Sequence, residues 1–335
     1  MKFVSVGRSS PNVAIVGAGV AGLTCATELQ AAGVSVSVFD KGRRPGGRMS
    51  TRCVDERFSF DHGCQYFSAN DPSFERQLKS WMQVGVVSVW TGSVVELDGG
   101  KITPRKPKRT RYVGRPEMAS VCNHLAAPLN VHSGVDVNEV HRSQDKWHLL
   151  DDTAASLGQF DGLIIATPPP QAEKFLAQSP SLLSAARGVR MSSCWTVMLA
   201  FSERLKCSFD GAVVYSSSMS WIARNSSKTG RNDAAECWVG QANANWSAAR
   251  LEASRDIIAA KLAAEFCDVA GVSAAPDYLS AHRWKYAIPA APYEANCLFD
   301  DTLKLGLCGD WCLGNRVETA WLSGTAAAKR LLKDL

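Results

Sequence analysis

The nine residues Ile15–Leu23, IVGAGVAGL, constrain this chain more than any other stretch. Glycines fall at Gly17, Gly19 and Gly22, a GxGxxG spacing that tight turns share widely, so the flanks must carry the argument. Upstream, Val13–Val16 is a short apolar run suited to a buried parallel strand. Downstream, AGLTCATELQAAG reads as a helix that Gly33 ends as its C′ residue. VSVSVFD follows as a second strand and closes on Asp40, 23 positions after Gly17. Strand, glycine turn, helix and strand with an acid at that remove form the dinucleotide-binding setting. Gly17 permits the sharp exit from the strand, Gly19 lets backbone amides approach a diphosphate at the positive helix end, and Gly22 lets helix and strand pack closely. Asp40 is placed to accept hydrogen bonds from a ribose. The fingerprint does not separate a nicotinamide from a flavin dinucleotide.

With 335 residues, 46% of them hydrophobic, the chain has material for one large or two ordinary domains. Its longest apolar stretch, Cys194–Phe201, is too short to cross a bilayer, and MKFVSVGRSSP lacks the apolar centre of a secretory signal. A soluble cytoplasmic protein without a membrane partner is expected. Eleven cysteines are scattered singly, which fits reduced, mostly buried thiols better than a disulfide frame. Cys308 and Cys312 are four apart without companion ligands, so no metal site is expected. The net charge is +5, and KITPRKPKRTRYVGR concentrates Lys101, Arg105, Lys106, Lys108, Arg109, Arg111 and Arg115. That segment reads either as a solvated loop or as a rim that draws in an anionic substrate such as a dinucleotide. Aromatic interleaving and any binding module are missing, so no nucleic-acid partner is expected.

Further along, helices are expected at Phe74–Trp81, Pro116–Leu125, Gln171–Leu183 and Ala248–Val269, the last amphipathic, with a closing helix in VETAWLSGTAAAKRLLKDL. Antiparallel strands are expected between Val84 and Arg111, short strands in NVHSGVDVNEVHR and KWHLLDD, and strands at Trp195–Phe201, Cys237–Gln241 and LGLCGDW. FDGLIIATPPP reads as a buried strand stopped by prolines. The opening unit thus finds its partner strand and helix at the far end of the chain. The expected class is α/β with an α+β insert: a nucleotide-binding domain of discontinuous segments, 1–75, 112–170 and 296–335, and a mixed-sheet substrate domain, 76–111 and 171–295.

IVGAGVAGL, PGGRMSTR, FDHGCQYF, IIATPPP and CGDWC…VETAWLSG, in this order and spacing, resemble the FAD-dependent amine-oxidase-like flavoproteins, and most closely the bacterial renalases. SWIARNSSKTGRND and AHRWKYA extend the likeness over nearly the whole chain. The resemblance implies noncovalent FAD on a fold of the p-hydroxybenzoate hydroxylase/monoamine oxidase type. It implies a diphosphate over Gly17, Gly19, Ala21 and Gly22, and adenosine ribose at Asp40 and Lys41. Arg48, after the flexible Gly46 and Gly47, would offer a forked cation near the diphosphate or flavin. Asp310, after Gly309, would meet the ribityl and phosphate region. Thr167 would line the cofactor's path, and the helix opening at Val317 would aim its positive end at the flavin's pyrimidine edge.

The resemblance also implies oxidation of the 2- and 6-dihydro isomers of NAD(P)H to NAD(P)+, by hydride transfer to flavin N5, with O2 reduced to hydrogen peroxide. Orientation would dominate such a reaction, because an aromatic pyridinium forms without loss of a proton. His62, Gln65, Tyr66, Trp195, Trp221, Arg224, Asn225, His282 and Trp284 are the candidates for the catalytic face, with Arg224 a candidate for substrate phosphate. Each tryptophan equally suits the core, and each histidine a structural role. Two other readings stay open. One is an amine oxidase or desaturase on the same scaffold, for which Lys285 and Cys297 or Cys312 are the remote candidates; the other is a non-catalytic FAD-binding protein.

Overall fold

The computed structural model describes residues 10–106, 108–232 and 235–335. Residues 1–9 of the amino-terminal stretch, Pro107 of the basic segment, and positions 233 and 234 lie outside the described residues. Six strands form the first sheet, in the spatial order Leu298–Asp300, Leu305–Leu307, Gly162–Ile165, Asn12–Val16, Ser35–Asp40 and Asn130–Ser133. Only the edge strand Leu298–Asp300 runs antiparallel to its neighbour. Val13, Ala14 and Ile15, like Leu163, Ile164 and Ile165, are sealed from solvent. Apolar runs without alternation are what a parallel sheet covered on both faces requires. The fold is thus a Rossmann-like α/β sheet joined to a mixed one.

The first helix, Val20–Ala31, packs against the last, Val317–Leu331. A Cβ on Gly324 would lie 2.2 Å from the Ala21 carbonyl oxygen, so the two helices touch backbone to backbone. Gly33, at φ +85°, turns the chain out of the first helix, as its C′ position requires.

Seven strands form the second sheet, in the order Tyr278–Pro289, Met191–Phe201, Glu236–Ala242, Met219–Arg224, Gly211–Val214, Val94–Asp98 and Lys101–Pro104. Alternation along these strands sorts the side chains. Trp195, Val197, Leu199 and Phe201 pack with Ile258, Leu262 and Phe266 of the helix Arg255–Ala270. Met198 and Ala200 turn the other way, beside Phe60. Each large side chain so buried contributes about 1.5–3 kcal/mol. A small antiparallel sheet spans Val137–Phe160. Among the described residues no helix is long and apolar enough to cross a membrane.

The helix expected at Pro116–Leu125 begins only at Ser120, and two other expected helices are split. The stretch Ala248–Val269 is broken: Ala244–Ala248 ends, and Ser254 starts a new helix by accepting from the Ile257 amide at 3.4 Å. A side-chain acceptor at that position favours initiation over continuation. Gln171–Leu183 likewise splits into a short turn of helix at Pro169–Ala172 and a helix at Pro180–Gly188. Pro180 has no amide to extend a preceding helix but suits the first position of a new one.

Candidate functional site

The glycine turn has the geometry its sequence demands. Gly17 sits at φ +113°, and a Cβ there would lie 3.1 Å from the Ala166 carbonyl. A Cβ on Gly22 would lie 2.0 Å from the Gly17 oxygen, so the third glycine is forced by helix packing on the strand. Gly19 differs: among the described residues nothing stands within 4 Å of where its Cβ would be, leaving the helix N-terminus open to a ligand. Gly46 and Gly47, at φ +141° and +53°, bring the next loop over this turn, with the Gly46 amide donating to the Ala18 carbonyl at 3.0 Å. Thr167 adjoins Gly17, and its buried hydroxyl has no hydrogen-bond partner among the described residues. Asp40 holds the turn itself, accepting from the Ala18 and Gly42 amides at 2.6 Å each. Each carboxylate oxygen keeps a second lone pair. Lys41 is exposed.

Arg48 meets Asp310 in a two-point ion pair of 2.9 and 2.5 Å and also donates to the Ala287 carbonyl at 2.9 Å. One guanidinium therefore ties the loop after the first sheet's second strand to Gly309–Asp310 and to the longest strand of the second sheet. Val317 opens the closing helix and is buried.

Beyond this clamp lies an aromatic face. His282 and Trp284 pair across the sheet with Thr196 and Cys194, which puts them on the side away from the covering helix. The His62 ring stacks on Trp284 at 5.1 Å and meets His282 edge-on at 4.7 Å; the Trp284 indole donates to the His62 carbonyl at 2.8 Å. Burial, and then the nearby Arg52 charge, push His62 down to about 4. Burial, His62, Arg52 and Arg255 push His282 down to about 3. Both imidazoles are therefore neutral at physiological pH. Tyr66 continues the face toward Trp221, 5.5 Å away, and Trp90, 6.1 Å away.

Behind that face is a buried ionic cluster. Lys228 and Arg231 both donate to one oxygen of Asp61, at 3.0 and 2.5 Å, and all three side chains are sealed from water. Lys228 also donates to Gln65 at 3.2 Å and to Asn225 at 2.9 Å. Asp61 further accepts from Thr51 at 2.8 Å and from the Met118 amide at 3.0 Å. Burial alone would raise the Asp61 carboxyl, but the two cations hold it well below the usual carboxylate range. Burial pulls the Lys228 ammonium down, against the pull of Asp61.

Residues 15–81 match the model of the NAD(P)-binding Rossmann-like domain, and residues 88–332 that of the flavin containing amine oxidoreductases. The chain belongs to the flavin-containing amine oxidoreductase family. A stretch of 100 residues is 37% identical to hydroxyneurosporene desaturase of Rubrivivax gelatinosus, covering 26% of this chain and 18% of that relative. The match thus spans less than a fifth of the relative's length. In fold, the chain is similar to a putative protoporphyrinogen oxidase from Exiguobacterium sp. 255-15 (TM-score 0.79, 13% identity, 98% of this chain and 100% of that one). It is also similar to cyclohexylamine oxidase from Brevibacterium oxydans IH-35A (TM-score 0.74, 12% identity, 97% and 99%).

FAD is the cofactor of such an amine oxidoreductase, and the residues present fit it. The open space at Gly19, the unpartnered hydroxyl of Thr167 and the forced glycines at Gly17 and Gly22 make a cradle for a dinucleotide. Asp40, with lone pairs to spare, would hold the ribose.

Three candidate residues of this amine oxidoreductase are not where the sequence reading put them. Trp195 is one residue out of parity with Trp284's cross-strand partner Cys194, so it faces the covering helix, 1% exposed, with its indole donating to the Arg250 carbonyl at 3.0 Å. It is a core residue. Arg224 likewise points to the helix-covered side, opposite Trp238, and is paired with Asp210 at 3.1 Å and Glu236 at 3.0 Å. At 3% exposure, with two carboxylates on it, it is not free to receive a substrate phosphate. Asn225 is spent on the Ser59 carbonyl at 2.9 Å and on Lys228. Gln65 is also interior; it donates to the Gly63 carbonyl at 3.1 Å and so shapes the loop that carries His62 and Tyr66. The residues sequence reasoning missed are Asp61, Lys228 and Arg231. All lie inside the motifs FDHGCQYF and SWIARNSSKTGRND, and a carboxylate in one motif with three cations in the other was the available signal.

Proposed function

We propose that this flavin-containing oxidoreductase oxidises 2- or 6-dihydro isomers of NAD(P)H to NAD(P)+, with noncovalent FAD as hydride acceptor and O2 as the final oxidant. The observation that carries the reading is the pairing of a neutral aromatic face with cationic flanks. Arg52 reaches His282 at 3.4 Å and Arg111 lies over Tyr66, and neither is in an ion pair among the described residues. Such a site attracts a polyanionic dinucleotide and repels an ammonium. A dihydropyridine surrenders a hydride without releasing a proton, so the aromatic face has only to orient the ring and exclude water. Neutral His62 and His282 suit that task. When bound, FAD supplies the two-electron acceptor and the link to O2. The Cys312 thiol is pushed up to about 12 by burial and Cys297 is also raised, which leaves both poor nucleophiles for attachment.

Amine oxidation or desaturation, the chemistry named for cyclohexylamine oxidase and for the desaturase relative, is the second reading, favoured by the family match itself. Lys285, its remote candidate, is exposed and lies over its neighbour Tyr286. Steady-state assays decide between the two: NAD(P)+ and hydrogen peroxide appear in equal amounts from the dihydro isomers, and no peroxide appears with putrescine or cyclohexylamine. Peroxide from the amines alone would establish the second reading; none from either class would favour a non-catalytic FAD protein.

A further inference from the structure

With Arg224 locked inside the second sheet, the anionic part of a substrate has to be met by another cation, and the geometry singles out Arg111. The Trp90 amide donates to the Arg111 carbonyl at 2.9 Å, which fixes this residue beside the Trp90 ring. Its guanidinium sits 5.7 Å from the centre of Tyr66 and 6.0 Å from that of Trp90. Behind those rings stands Trp221, whose buried indole N–H has no hydrogen-bond partner among the described residues. Gly211 underlies the stack: a Cβ there would come within 3.1 Å of Trp90 and 3.2 Å of Trp221. Arg111 is half-buried, and the acceptors it meets are neutral, the Gly92 carbonyl at 3.5 Å and the Tyr66 side chain; no carboxylate pairs with it among the described residues. A half-buried cation left without an anion, set against two aromatic rings with more N–H donors than its two neutral acceptors use, is an arrangement that receives a phosphate.

We propose that Arg111, set against Tyr66 and Trp90, anchors the phosphate-bearing end of the substrate and selects phosphorylated dihydropyridines over phosphate-free ones. The inference rests on the dihydropyridine reading above and adds the residue that gives it specificity. The Tyr66 and Trp90 rings confine the guanidinium, so little side-chain freedom is lost when the phosphate arrives. The neighbouring cations of the basic segment raise the local concentration of anions without contacting them.

The test uses the FAD-loaded protein, as wild type, Arg111→Ala, Arg111→Lys and Arg109→Ala. Anaerobic bleaching titrations are run with 2-dihydro-NAD and with 1-methyl-dihydronicotinamide, which has no phosphate. Arg111→Ala is expected to weaken the dinucleotide about tenfold, as loss of one charge-assisted contact does, and to leave the phosphate-free ring within about twofold. Arg111→Lys recovers part of the loss. Arg109→Ala, which removes an exposed charge two residues away, costs less than about threefold. Equal losses for both ligands, or no loss for either, would overturn the proposal and reduce Arg111 to a prop for Tyr66. If the wild type is bleached by neither ligand, the dihydropyridine reading fails on its own account, and calorimetric titration with inorganic pyrophosphate decides for Arg111. About tenfold tighter binding by wild type than by Arg111→Ala supports the anion site, and equal binding overturns it.

Discussion

Arg48 and Asp310 stand 262 positions apart and meet through two hydrogen bonds, joining the loop after the first sheet's second strand to the short turn that precedes the closing helix. Asp310 is nearly buried and Arg48 about a third exposed, so removing either charge strands the other in a poorly solvated place. Arg48→Ala and Asp310→Asn are each expected to destabilise by about 1–3 kcal/mol and to lower FAD retention. The ratio of flavin to protein absorbance after gel filtration measures the second effect, and full retention in both variants would reject the clamp.

The glycines should separate fold from cofactor. Gly324→Ala forces a backbone collision with Ala21, and overpacking of that kind costs about 1–3 kcal/mol or more. Gly19→Ala meets open space and should leave the apo-protein's Tm within a degree or two while FAD binding weakens. Thermal melts with and without added FAD read both effects.

The Asp61 cluster predicts an order of damage. Asp61→Asn leaves two buried cations without their carboxylate, whereas Lys228→Met leaves Asp61 still paired with Arg231. Breaking a buried pair from one side costs about 3–5 kcal/mol, so Asp61→Asn should be the more destabilising of the two in urea unfolding. The native Asp61 carboxyl titrates lower than in the unfolded chain. The stability it lends is full above about pH 4 and is lost as pH falls through the lower native value.

His62 and His282 set the milder acid limb. Both are neutral in the fold to about pH 4 and about pH 3, while the unfolded chain takes up their protons near pH 6.5. Stability contributed by keeping them neutral is complete above pH 6.5 and drains as pH falls through the native values. His62→Gln and His282→Gln should flatten the loss between pH 6.5 and 4. Bleaching rates should show no histidine ionisation between pH 6 and 9.

What could be read from the sequence was what is local. Gly17, Gly19, Gly22 and the strands around them follow from residues within one turn of each other, and the return of the chain end to the same sheet follows from apolar runs at Leu163–Ile165 and Leu305–Leu307. Trp195 and Arg224 were misplaced because a side chain's face depends on register. Bulges between Ser192 and Cys194 and between Met219 and Trp221 reset that register without a mark in composition. The Asp61–Lys228 contact joins residues 167 apart, beyond any periodicity.

The most direct test of the central claim is a single anaerobic mixing of the FAD-loaded protein with 2- or 6-dihydro-NAD, followed at the flavin's visible band, beside a parallel mixing with putrescine. Rapid bleaching by a dihydro isomer and none by the amine is the predicted result. Bleaching by putrescine, with the dihydro isomers inert, would contradict it.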